Sequence, residues 1–215
     1  MASLVGVVRL MYIPKYFIVR GDAAATAHNI TSHELLFRFG IVSGLVGGVL
    51  WLFVPLALYR LLKDVDKTLA IVMVILGSLM QTPIFVVNTI TDTAALLFAR
   101  GADFLSVIGK PQRDAFVMLF LGLHHQLDLA NSLFWGLWLL PLGLLVYRSR
   151  LFPRIFGVWL ILACFAWVAF CFAGLLFPQY ESKAFGYGQL FTLGELVTML
   201  WFLVVGARAP RPSHP

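Results

Sequence analysis

From Leu129 to Tyr147 the chain runs nineteen residues without a charged side chain. Coiled as a helix, that stretch rises ~28 Å, close to the hydrocarbon thickness of a bilayer. It follows a polar turn, His124-His125-Gln126-Leu127-Asp128, and stops on Arg148, Ser149 and Arg150. In lipid no water satisfies the backbone, so a segment that crosses must bond to itself, and a helix does this.

Four further runs have the same character: Phe39–Tyr59, Leu69–Ile90, Ile155–Phe177 and Phe185–Gly206. Only the last contains a charge, Glu195. Across the chain 60% of residues are hydrophobic and 12% charged, against about 25% charged in a soluble domain. The expected fold is therefore all-α: a polytopic transmembrane helical bundle with five full spans, at about 39–59, 69–90, 129–147, 155–177 and 185–206. No polar or low-complexity linker interrupts residues 1–206, which are read as one domain. Residues 207–215, rich in proline and arginine, are expected to be a disordered cytoplasmic tail.

Between the runs the signals are shorter. Residues 1–20 are broken by Arg9 and by Pro14-Lys15 and are too short to cross. Residues 21–38 form a small-residue segment on the external side. Asp22 is placed to cap a short helix over Ala23–Ala25, and Thr31 or Ser32 to cap a second. Pro83 should kink the second span. Asp114–Leu123 reads as a helix entering the membrane gradually. Gly40, Gly44 and Gly48 recur every four residues, a stripe that lets another helix approach closely.

The net charge of +6 sits in short clusters beside apolar runs rather than in one patch. The partner this implies is the lipid bilayer and not nucleic acid. Arg60, Lys63 and Lys67, then Arg148, Arg150 and Arg154, then Arg208 and Arg211 fall on one side if all five spans cross. Arg100, Lys110, Arg113 and Lys183 fall on the other. Eight against four makes the first side cytoplasmic, the C-terminus with it, in a multi-pass protein of the cell membrane. Arg9, Lys15, Arg20 and Arg38 run against that bias. Cys164 and Cys171 lie seven apart in one run, ~10 Å along a helix, too far for a disulfide between them.

Gly21-Asp22-Ala23-Ala24-Ala25-Thr26-Ala27-His28-Asn29-Ile30, with Glu34 and Phe37-Arg38, resembles a signature of a prokaryotic membrane family, domain of unknown function 4386. Leu58-Tyr59-Arg60-Leu61-Leu62 is similar to its next block. Pro141, Gly143, Tyr147, Arg148, Ser149, Pro153, Arg154 and Gly157 are similar to a third. The resemblance covers about residues 10–206. It implies a six-helix bundle and brings no established activity and no catalytic residues. The departure is at the start, where the family has a full first span and this chain has about a dozen residues before Tyr12-Ile13-Pro14, so that span is expected to be truncated here.

Ionisable groups at membrane depth are the natural places to look for function, because burying them is costly. Glu195 lies about ten residues into its run, with Thr192 and Thr198 three residues to either side on the same face. Gln81, Asn88 and Asp92 form one stripe, and His124, Asp128 and Asn131 another. Ligand-contacting candidates are thus Glu195, Thr192, Thr198, Asn88, Asp92 and Asn131. His28, His124, His125, Asp92 and Asp128 combine residue types that bind a divalent ion, although no His-Glu-x-x-His pattern or cysteine pair accompanies them. His28 and His33 sit in the preceding external segment. Trp135, Trp138 and Trp159 are candidates to line a pocket, with packing as the plainer role. No phosphate loop, dinucleotide fingerprint or nucleophile elbow occurs.

The leading expectation is a non-enzymatic membrane protein that binds or passes a small apolar or amphipathic molecule, with Glu195 facing the interior and no cofactor. Its rivals are a membrane-embedded metal hydrolase built on His28, Asp92, His124 or His125, and Asp128, and a structural or regulatory subunit held by the glycine stripe.

Overall fold

The computed structural model describes residues 16–149 and 151–204. Every regular element in them is helical. In chain order these are α1 (Ala23–Ser32), α2 (Glu34–Leu62), α3 (Lys67–Val74), a π-turn (Ile75–Leu79), α4 (Thr82–Arg100), α5 (Lys110–Leu137), α6 (Leu139–Ser149), α7 (Arg154–Leu176) and α8 (Glu181–Val204), with short 3₁₀ turns at Asp103–Leu105 and Pro178–Tyr180. Among the described residues four stretches are long and apolar enough to cross a membrane: Glu34–Leu62, Lys67–Arg100, Lys110–Ser149 and Arg154–Leu176. The fifth apolar run lies in α8 up to Val204, and its last two residues fall outside the described ones. So do residues 1–15, Arg150 and the tail.

Asp22 accepts a hydrogen bond from the Ala25 amide at 2.8 Å and caps α1. A single residue, His33, separates α1 from α2, and α2 starts directly at Glu34. The segment 21–38 is thus mostly helix. The second short helix expected there is instead the first turns of α2. Thr31 does not cap it, because its hydroxyl donates back to the carbonyls of Ala27 and His28.

Two long stretches are interrupted. The α-helical ladder of Lys67–Arg100 widens into the π-turn at Ile75–Leu79 and resumes at Thr82. Pro83 has no N–H for the carbonyl of Leu79, and the π-turn and the turn after it absorb the mismatch. The second interruption falls within the expected third span, 129–147, which lies inside the membrane-length stretch Lys110–Ser149. Residues 129–147 are not one helix, and the helix that contains their first half begins far earlier, at Lys110. It breaks at Trp138, because Pro141 cannot donate to the carbonyl of Leu137. Asp114–Leu123 is accordingly the first part of α5.

The described chain groups into two compact units. Among the described residues the first comprises 16–51 and 82–128, the second 52–81, 129–149 and 151–204. In the first, α1 packs on α4, around Phe17, Ile30, Phe37, Ala95, Leu96 and Val117. Gly40, Gly44 and Gly48 are buried, and a Cβ at Gly48 would come within 2.8 Å of Phe85. Gly101, at φ +66°, ends α4 in the left-handed conformation that glycine adopts without strain. At this end Glu34 pairs with Arg38 at 2.7 Å and with Arg100 at 3.5 Å.

In the second unit α7 packs against both α6 and α8, and α3 packs against α6. The α6–α7 crossing is very close: a Cβ on Gly157 would lie 2.7 Å from the Gly143 carbonyl oxygen, and one on Gly143 would lie 2.8 Å from that of Gly157. Trp138 is fully buried. Asp66 caps α3 through the Leu69 amide at 3.0 Å and also takes Arg148 at 3.2 Å. This brings the chain between α2 and α3 to the end of α6. Asp66→Ala is expected to cost about 1 kcal/mol, the usual value of an N-cap, since the exposed ion pair adds little. Faster amide hydrogen exchange at Leu69, with exchange in α7 unchanged, is the check.

Candidate functional site

The most polar interior centre lies in the first unit, between α4 and α5. Spacing explains how it is built. Asn88 and Asp92 are four apart on α4, and His124 and Asp128 four apart on α5, so each pair presents one face of its helix. His124 Nδ1 sits 2.8 Å from Asp92 Oδ1, and His124 Nε2 sits 3.3 Å from Asp128 Oδ2. Asn88 Nδ2 donates to Asp128 Oδ1 at 2.6 Å. The approach of Asp92 to Nδ1 is close but off the N–H direction, so it is an electrostatic contact rather than an aligned hydrogen bond. Asn88 and Asp92 are buried, and the side chains of His124 and Asp128 are 21% and 25% exposed.

The arrangement is therefore carboxylate, imidazole, carboxylate, with an amide on the outer side. A neutral imidazole has one N–H and one lone pair, so it can serve only one of two flanking carboxylates. The other contact then sets lone pair against lone pair. A proton added to the ring or to a carboxyl removes that conflict.

Depth adds to its chemical interest. Asp92 lies eight residues before the end of α4 at Arg100, about 12 Å along the axis. His124 lies fourteen residues after the start of α5 at Lys110, about 21 Å. Nearer that end, Lys110 pairs with Asp114 at 2.7 Å.

The other histidines are elsewhere. His125 is exposed, one residue along α5 from His124 and about 100° round the helix from it. His28 is exposed on α1, its Nε2 3.3 Å from Ser32 Oγ. His33 stacks edge-on against Tyr16 with centroids 5.2 Å apart. Among the described residues no three His, Cys, Asp or Glu side chains are placed to hold a metal ion. In the trio the two ring nitrogens point apart, each to its own carboxylate.

Glu195 belongs to the second unit and is half-buried on α8. Its carboxylate lies by the indole N–H of Trp167 on α7. That buried N–H makes no aligned hydrogen bond among the described residues. Trp167 packs edge-to-face on Trp135, centroids 5.3 Å apart. Thr198 is buried and donates to the Gly194 carbonyl at 2.7 Å, so its hydroxyl is spent within α8. The side chain of Thr192 lies outside the described residues. Trp159 lines an apolar groove of about 340 Å³ with Ile155, Val158, Leu162 and Phe191. Asn131 is 1% exposed in the second unit, and neither of its amide atoms has a partner among the described residues.

The pairing of Trp167 with Glu195 was not among the sequence candidates. Its only signal would have been an indole N–H, that of Trp167 or Trp159, in a run with no hydroxyl, amide or charged side chain.

No curated protein and no solved structure matches this chain. A family model does, over residues 1–206 of 215, and the chain belongs to that family, described as Domain of unknown function (DUF4386).

Proposed function

We propose that this is a multi-pass membrane protein of the cell membrane that binds or passes a small amphipathic molecule without enzymatic turnover, and that a proton exchanged at Asp92, His124 and Asp128 accompanies binding. The observation that carries the reading is the imidazole held between two carboxylates from two helices, about 12 Å inside the end of one of them. A structural role alone would be served more cheaply by apolar packing, since buried ion pairs seldom outdo hydrophobic replacements. Ionisable groups at such depth belong to pathways and relays far more often than to scaffolding. In this reading all five apolar runs cross. The ends that carry Arg60, Lys63, Lys67, Arg148 and Arg154 face the cytoplasm together with the C-terminus. Glu195, beside Trp167, supplies a second polar contact for the same class of ligand.

The test uses purified protein in detergent and two tritiated probes, tetraphenylphosphonium as an amphipathic cation and octanoate as an amphipathic anion. Saturable binding of one of them is expected, with net proton uptake or release in weakly buffered solution. Asp92→Asn should bind with that proton exchange lost or greatly reduced. Saturable binding of neither probe sinks the proposal, and so does binding with proton exchange equal in wild type and variant.

A further inference from the structure

Away from the trio, the second unit carries buried hydrogen-bonding groups with no assigned use. Gln81 is fully buried directly after the π-turn. Its Nε2 donates to the carbonyls of Leu76 at 3.2 Å and Phe134 at 3.3 Å. Those two bonds fix which way the amide points, because a flipped amide would set its oxygen against two carbonyls. Gln81 Oε1 is then left as an acceptor without a partner among the described residues. Asn131 lies one turn before Phe134 on α5, and its oxygen and nitrogen are likewise unpartnered there.

The backbone around them is irregular in the same sense. A Cβ on Gly77 of the π-turn would lie 3.0 Å from the Trp138 ring, so the π-turn packs directly on the break between α5 and α6. Pro83 and Pro141 withhold α-helical donors from the carbonyls of Leu79 and Leu137. The unmet side-chain atoms here are two oxygens, Gln81 Oε1 and Asn131 Oδ1, and one nitrogen, Asn131 Nδ2. No Asp, Glu, Lys, Arg or His occurs in residues 69–90 or 129–147, so the site has no charge of its own to offset a charged ligand. Buried amides are costly to leave unmet, and irregular backbone at membrane depth belongs where it lines a polar site.

We propose that Gln81 and Asn131 form a binding site for a neutral O–H donor, either water or the hydroxyl of a small amphipathic alcohol, where the π-turn meets the Trp138 break. Water, with two O–H groups, donates to both amide oxygens, an alcohol donates its single O–H to one of them, and in either case the Asn131 N–H donates to the ligand's oxygen. The site goes beyond the proton exchange proposed above and does not depend on it.

Two arms on the purified protein separate the sources. In the first, brief X-ray radiolysis in ¹⁸O-water generates hydroxyl radicals from bound water. Trp138, though fully buried, should then be oxidised at least as fast as half-buried Trp159. In the second, a diazirine-bearing octanol should crosslink within residues 76–81 or 131–138. Octanol at about ten times its own Kd, but not octane at the same concentration, should reduce that labelling about tenfold. Oxidation of Trp138 without crosslinks assigns water, and competed crosslinks assign an alcohol. An unoxidised Trp138 together with no competed crosslink overturns the site. Gln81→Leu with Asn131→Leu should abolish whichever signal is seen; if that pair does not fold, the wild-type arms still decide. Asp92→Asn should leave both arms unchanged, which keeps failure here distinct from failure of the proton-linked reading.

Discussion

Gly157→Leu is expected to abolish recovery of folded protein. The position faces the α6 backbone, and a first side-chain carbon there would lie 2.7 Å from both the Gly143 carbonyl oxygen and the Tyr147 amide nitrogen. Backbone cannot rotate away as a flexible side chain can, so α6 and α7 must separate. Even Gly157→Ala should cost about 1–3 kcal/mol, the usual range for overpacking. Leucine adds three more carbons at the same point and should exceed that range. Gly122→Ala is the control. It lies within α5 with open space around it, and removing a glycine from a helix interior should be neutral or stabilising by up to about 1 kcal/mol. Fluorescence-detected size-exclusion chromatography and a thermal ramp in detergent would read both. A monodisperse Gly157→Leu protein with wild-type melting would refute the close crossing.

His124→Leu is the second large effect. It leaves Asp92 and Asp128 facing each other across an apolar side chain, with no imidazole between them. Removing one partner from a buried charged cluster typically costs about 3–5 kcal/mol, because the remaining charge stays desolvated. Replacing all three, Asp92→Leu with His124→Leu and Asp128→Leu, should recover much of that loss, since no orphan charge remains. The triple variant should have no proton exchange on ligand binding. A single variant as stable as wild type would show that the carboxylates do not depend on the ring.

The two cases differ in what the sequence reveals about them. Uncharged runs are visible because each residue contributes independently to the sum. Pro83 marks its own interruption, since the missing N–H is a property of one residue. Pro141 has the same chemistry, yet the charge-free run from Leu129 to Tyr147 hides it, and Trp138 carries no mark of a break. The residues of the trio can be picked out by four-residue spacing on each helix. That Asp92 meets one ring nitrogen and Asp128 the other depends on how α4 and α5 are rotated about their axes, which spacing does not encode. Gly40, Gly44 and Gly48 stand out as a repeat along one helix. Gly143 and Gly157 do not, because their partnership is between helices and each is a single glycine on its own.

The polar trio also bears on how the chain enters a membrane. Asp92 is synthesised well before His124, so α4 carries its carboxylate before the ring that contacts it exists. The neutralising ring arrives only with the next helix, after the short connection through residues 101–109. Release of α4 from the insertion machinery should therefore wait for α5, and the two should enter as a hairpin that carries its own counter-charge.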